Sequence, residues 1–501
     1  TKQPVKWKAV GFEEYDRATD SWTNLGTNKP SWLTAMSKES GDGGATAESG
    51  KATITKADLK DRLTEYNMVL QTATEKGAAG NYYNLSNANG TDAIQNTANS
   101  YLISAPGYYR IPLVYGNAVK AGAANESSYK TAHTGADVLS NFKDHLGNDI
   151  TTPYINVQNT TNPATQASIV WMDQKDLVDG LSVTNNGDKS FVNFHVSAAN
   201  IKNGNAVIAV KSADGTIMWS WHLWFDHSDA LSTIESTNHD GNKFKFTKNI
   251  LGYTLYKWQA TSYESARAAR MKIEQELGNG EKKTAYITIT QTPYAERIYS
   301  TTFYQFGRKD AFPGVGVDKL YGGTIVKNAG DNMSIKNSIQ NPEKFYTGDV
   351  SWANNYNQYN LWSMETTVLK DPTNALVKTI YDPCPVGFHM PPYNAFTGVT
   401  TTGNNAIYQP GEINALGNWD QGYHFYTKDA SSPSTVYFPA IGSRSFSTGE
   451  LFKVGDKGIY WNGIANGTKT GRCFTIEEND VRPLMEITRA AGACVRPVAA
   501  Q

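Results

Sequence analysis

Asn205-Ala206-Val207-Ile208-Ala209-Val210-Lys211-Ser212-Ala213-Asp214-Gly215-Thr216-Ile217-Met218-Trp219-Ser220-Trp221-His222-Leu223-Trp224-Phe225 holds two apolar runs split by Asp214-Gly215. Asp-Gly accepts the positive φ that tight hairpin turns demand. A hairpin is therefore expected. In its second strand Trp219, Trp221, Leu223 and Phe225 share one face, and Ser220, His222, Trp224 and Asp226 share the other. Short alternating runs broken by Gly, Asn, Asp and Pro recur on both sides. Residues 181–196 read as a hairpin turning at Asn185-Asn186-Gly187-Asp188. Residues 100–115 read as two strands around Ala105-Pro106-Gly107. Residues 262–277 carry helix-favouring Ala, Arg, Glu, Met and Gln. Yet Met271-Lys272-Ile273-Glu274 alternates, and Gly278-Asn279-Gly280 leads into an Ile-Thr-rich run, so a hairpin is expected there too. Residues 57–71 have the same two-sided composition and fit strand or helix.

The chain has 501 residues, with 46 Lys plus Arg against 47 Asp plus Glu and a formal net charge of -1. Its length suits about three domains. The charge balance argues against nucleic acid as a partner, which needs a clustered positive excess. It argues equally against an acidic solvating tail. No apolar run approaches the length of about 18 residues that marks a membrane-crossing helix. With 12 Trp, 28 Tyr and 18 Phe the chain has too many aromatics for a disordered protein. It starts at Thr1 with no basic-apolar-small signal pattern, and a processed protein or a fragment is expected. The cysteines are Cys384, Cys473 and Cys494, too few and too odd in number for a disulfide-stapled scaffold.

Composition shifts divide the chain into 1–92, 93–230, 231–298 and 299–501. Residues 72–98 are rich in Gly, Ala, Asn and Thr and read as a linker or long loop. The first segment reads as an incomplete β module. Trp7, Trp22 and Trp32 offer core anchors, but few strands are available to cover them. The missing strand is expected from upstream, or from another molecule by strand addition.

Several phrases occur in a recognisable order. They are Lys6-Trp7-Lys8-Ala9-Val10-Gly11, Lys29-Pro30-Ser31-Trp32-Leu33-Thr34 and 105–118 (Ala105-Pro106-Gly107-Tyr108-Tyr109-Arg110 onward). Trp219 to Trp224, Tyr304-Gln305-Phe306-Gly307-Arg308-Lys309-Asp310 and Asp382-Pro383-Cys384-Pro385-Val386-Gly387-Phe388 follow. In these the chain resembles the large multidomain β proteins of Bacteroidales cell surfaces called fimbrillin-like. Segments 1–92 and 231–298 resemble their β-sandwich modules, including the BACON type. Segment 299–501 resembles the FISUMP domain, which is distantly similar to the C-type-lectin and formylglycine-generating-enzyme fold. The resemblance implies tandem β-sandwich modules followed by a C-terminal α+β lectin-like domain. It also implies a secreted, envelope-anchored lipoprotein used in adhesion or surface assembly, with no catalytic motif. Two departures matter. Calcium-dependent lectins use Trp-Asn-Asp; here Trp461-Asn462-Gly463 lacks the carboxylate and Asn418-Trp419-Asp420 has another order. Calcium wants several hard oxygen ligands, so this argues against calcium-dependent sugar binding. Formylglycine-generating enzymes need a reactive cysteine pair. Cys473 and Cys494 lack the flanking residues expected of one.

The residues that could carry chemistry have plainer readings beside them. His222, Asp226 and His227 are close in sequence, but on a strand His227 points away from the other two, whereas a metal needs convergent ligands. A strand running into a polar loop explains them. No Gly-x-Ser-x-Gly and no Gly-x-x-x-x-Gly-Lys-Ser/Thr occurs. Glu477, Glu478 and Asp480 could supply a glycosidase pair across a groove; a solvated loop between strands is the plainer reading. Trp419, Tyr423, Phe425, Tyr460 and Trp461 read first as core. Flat rings also stack on sugars and proteins, and Trp419-Asp420-Gln421-Gly422-Tyr423 reads as a loop, where binding residues concentrate. The candidate ligand-binding residues are Trp419, Asp420, Tyr423, Trp461 and Asn462. A Cys384–Cys494 bond would close a loop of about 110 residues and stabilise by roughly 4–5 kcal/mol in the loop-entropy picture. Cys473–Cys494 and buried thiols are the rival readings.

The sequence thus predicts a mostly β, non-enzymatic adhesin or structural subunit on a bacterial outer surface or pilus. No metal or cofactor is expected. Expected partners are other surface or pilus subunits and a host or dietary glycan or protein ligand. The alternative is a glycan-binding component of a polysaccharide-uptake system.

Overall fold

The computed structural model describes residues 3–316, 323–348, 352, 356–364, 376–432 and 434–500. Thr1, on which the expectation of processing rests, lies outside them. Strand accounts for 42% of the chain and helix for 7%, so the fold is mostly β. The strands Gly204–Ser212 and Ile217–Phe225 pair antiparallel, and Gly215 turns between them at φ +87°. Asp214 fixes that turn by accepting from Thr216 N at 2.9 Å and Ser212 Oγ at 2.7 Å. Ala164–Met172 flanks the hairpin on one side, and Ser100–Ile103 pairs in parallel on the other. A second sheet runs Asp179–Thr184, Phe191–Val196, Gly107–Pro112, Tyr83–Asn84. Tyr109, Ile111 and Phe194 from it share one core with Ile208, Trp221 and Leu223 from the first. The two strands around Pro106 therefore join opposite sheets rather than each other.

The second hairpin strand is buried on both faces, not one. Ser220 Oγ donates to Asp310 at 2.9 Å, His222 Nδ1 meets Tyr304 Oη at 3.0 Å, and Trp224 Nε1 donates to Tyr253 O at 2.9 Å. Tyr253 and residues after 299 thus cover the face that alternation reserves for solvent. One hydrophobic cluster continues from Tyr101 and Trp219 to Trp362, Trp461 and Val495. Segments 93–230 and 299–501 are accordingly not separate domains. The chain forms two compact units, Thr1–Glu65 with Lys257–Ile298, and Tyr66–Tyr256 with Tyr299–Gln501.

The first unit resolves the incomplete module. Trp7–Asp16 pairs antiparallel with Arg267–Glu276, which pairs with Lys282–Gln291. The missing strand comes from the same chain, about 250 residues downstream. Phe12, Trp32, Leu33, Ala269 and Met271 close the core. The 1–92 and 231–298 segments are therefore not independent modules. Residues 57–71 prove to be both things: strand Leu59–Asp61, then helix Arg62–Gln71. Asp61 Oδ1 caps the helix by accepting from Leu63 N at 3.0 Å and Thr64 N at 3.2 Å. Residues 72–98 are built into the second unit rather than serving as a linker. Asn84, Ser86 and Asn87 are buried, and Asn84 Oδ1 accepts from Ser86 N at 3.0 Å.

In the last third, Ala406–Ile407, Asp480–Thr488, Thr470–Glu477 and Lys457–Asn466 make one sheet. Ala415–Leu416, Gly422–Tyr426 and Thr435–Pro439 make another. Val498–Ala499 pairs with Lys243–Thr247 through Phe246 and Val498. Residues 243–247 thus belong here and not with 257–298. The α-helix assigned among the described residues of 299–501 is Ile335–Gln340. A second aromatic cluster holds Phe246, Phe396, Phe425, Phe438, Tyr460 and Phe474. The expected disulfide is not formed, and all three cysteines are free and buried. Cys384 Sγ lies 3.8 Å from Met390 Sδ in the first cluster, while Cys494 Sγ donates to Ile459 O at 3.0 Å in the second. Burial pushes all three thiols up.

Candidate functional site

A cleft forms where two tight turns meet. The first turn, 417–421, enters the strand Gly422–Tyr426 with Gly417 at φ +75° and Gln421 at φ +48°. The second joins Thr470–Glu477 to Asp480–Thr488. Glu477 pairs with Asp480, leaving Glu478 and Asn479 at the tip, and Asn479 takes φ +62°. Asn is among the residues that tolerate this left-handed region. Asn479 N donates to Tyr423 Oη at 3.2 Å and ties the turns together. The Trp419 and Tyr423 rings meet edge to face at 5.0 Å and 74°. Pro410, Asn418, Trp419, Tyr423, Glu478 and Asn479 border a cavity of about 270 Å³.

The carboxylates divide by partner. Glu477 pairs with Lys457 at 2.6 Å and Lys453 at 3.6 Å, and Asp480 pairs with Arg482 at 2.6 Å. Glu478 is exposed and has no ion pair among the described residues. Of the three acidic residues, Glu478 alone lines the cavity, with no second carboxylate among the described residues that border it.

The sequence-derived binding set splits. Trp419 and Tyr423 come together in the cleft. Asp420 is exposed next to Trp419 but does not line it; its carbonyl accepts from Tyr437 Oη at 2.8 Å. Trp461 and Asn462 are fully buried and take no part in a surface site. Trp461 Nε1 donates to Tyr304 O at 2.7 Å, and Asn462 Oδ1 accepts from Ile464 N at 3.2 Å. Phe425 and Tyr460 are core as well. Sequence reasoning missed Asn418 and Asn479 as rim residues and did not join Glu478 to Trp419. The one local signal was an Asn at a hairpin tip.

The His222, Asp226 and His227 side chains do not converge. His222 is enclosed by Tyr304, Ser100 at 3.3 Å and Asn205 at 2.9 Å, and burial pushes it down to about 3. Burial pushes Asp226 up to about 6. Tyr66 donates to Asp226 and stacks on His227 at 3.7 Å, and His227 Nε2 lies 2.9 Å from Tyr66 O. No group of three metal-ligating side chains occurs among the described residues. A larger cavity of about 590 Å³ is bordered by Phe244, Lys378, Phe388, His389 and Val498. Two of its polar side chains are engaged with the backbone: Lys378 Nζ donates to Cys384 O at 2.6 Å, and His389 Nδ1 sits 2.7 Å from Met390 O.

No protein-family model, no curated protein and no solved structure matches the chain.

Proposed function

We propose that the chain is a non-enzymatic adhesin or structural subunit of a bacterial cell surface or pilus. Its recognition end is the cleft between the 417–421 and 477–480 turns. The observation that carries this reading is the partly exposed Trp419 ring, backed by Tyr423 and rimmed by polar side chains. Trp and Tyr are the residues that most often anchor interfaces, and a turn held between sheets keeps them in place without a ligand. The order of sequence phrases supports a fimbrillin-like surface protein with a lectin-like C-terminal region, outside the cell and among other surface subunits. Trp419→Ala in the full chain is expected to lower adhesion to ligand-coated surfaces at least about tenfold, the loss of one anchor. Unchanged adhesion would remove the reading. The second reading, a glycan-binding component of a polysaccharide-uptake system, is favoured by the same ring beside the amides of Asn418 and Asn479.

A further inference from the structure

We infer that the Trp419 cleft takes a single neutral sugar ring, a hexopyranose without carboxylate, sulfate or phosphate. This rests on the reading of the cleft as the recognition end. The charge balance at its rim selects against anions. Among the described residues, no Lys or Arg lines the cavity. The cations paired with the neighbouring carboxylates are committed: Lys457 to Glu477 at 2.6 Å and Arg482 to Asp480 at 2.6 Å. Glu478 is left as an unbalanced negative charge at the rim, and like charge brought against it is repelled.

The donors select against a simple cation. Asn418 and Asn479 have no side-chain partner among the described residues, and each offers an N–H pair as well as an oxygen. An ammonium group can use only the oxygens. A hydroxyl donates and accepts at once, so adjacent hydroxyls can give protons to Glu478 and take them from the amides. The C–H face of a pyranose lies flat on an aromatic ring, which Trp419 supplies. A cavity of about 270 Å³ falls just below the range of roughly 300–1,000 Å³ typical of larger ligands. That volume has room for one ring, and a longer glycan would run out into solvent.

The test is a glycan array of matched pairs, each neutral glycan beside its sialylated, sulfated or uronate-containing counterpart. It is probed with the full chain, Trp419→Ala and Glu478→Lys. The wild type is expected to bind neutral members at least about tenfold better than their acidic partners. Trp419→Ala should lower that binding by a similar factor. Glu478 is exposed at the hairpin tip, so Glu478→Lys leaves the core untouched, and it should shift binding toward acidic members. Equal wild-type binding to acidic and neutral members, or no binding to any sugar, overturns the inference. An empty array with adhesion to protein-coated surfaces still dependent on Trp419 would overturn the sugar and keep the recognition end. Loss of both would overturn both.

Discussion

At the residue scale, burial decides what each polar side chain can do. Trp219 and Trp419 are the same residue type, yet one is sealed in the core and the other is partly exposed at a turn. The Arg308-Lys309-Asp310 triplet is buried entirely. Lys309 Nζ reaches Asp310 at 2.5 Å and Ser220 Oγ at 2.6 Å, and Arg308 donates to Lys344 O at 2.7 Å. Burial pushes the Asp310 carboxyl up, but Lys309 and Arg308 outweigh it and hold it below the usual range. Among the described residues no Lys or Arg pairs with Asp226. Burial raises it from 3.8 to about 6, against the pull of Tyr66 and the His227 N–H. A raised carboxyl contributes stability below its unfolded value and loses it as pH rises through the folded value. The loss at Asp226 therefore falls between 3.8 and about 6. Asp226→Asn is expected to gain on the wild type by up to about 3 kcal/mol across that window. Thermal melting of both proteins at acid and neutral pH checks this, and an equal difference at both would contradict it.

At the scale of elements, glycine marks where backbones touch. Gly107, at φ +146°, opens the strand Gly107–Pro112, and a Cβ there would sit 2.0 Å from Lys76 O. The sequence shows Pro106-Gly107 as a turn. It does not show that the turn sends its two strands into opposite sheets against the 72–98 loop. Gly107→Ala is expected to cost roughly 3 kcal/mol, from backbone strain plus the clash. Denaturant unfolding measures it, and a change under about 0.5 kcal/mol, typical of plain surface positions, would show that the contact is not held. The hairpin tip at Glu478-Asn479 depends on turn geometry in the same way, since its register places Glu478 toward the Trp419 turn.

At the scale of the molecule, each unit is assembled from distant stretches of chain. Trp7–Asp16 pairs on one edge with the nearby Ser21–Asn24 and Ser40–Gly41, but its other edge is covered only by Arg267–Glu276, so the first unit is incomplete in sequence because that strand lies far downstream. Fragment 1–65 alone is expected to be unfolded by circular dichroism, and mixing it with fragment 257–298 should restore strand signal. A 1–65 fragment that folds alone would contradict the pairing. The second unit holds its two aromatic clusters without disulfides. Its three cysteines sit among apolar side chains, two in one cluster and one in the other.

Turn chemistry and alternation are local, so the sequence alone determined the hairpins at Asp214-Gly215, Gly187 and Gly278-Asn279-Gly280, and with them the mostly β class. It also determined a turn at Trp419 to Gln421, although the loop read there runs on over Gly422 and Tyr423, which begin a strand. Pairing between strands hundreds of residues apart leaves no local trace, because register follows from which faces end up covered. For that reason only the tertiary structure decided that the first unit closes on 267–276, that Trp461 is core, and that Glu478 shares a cleft with Trp419.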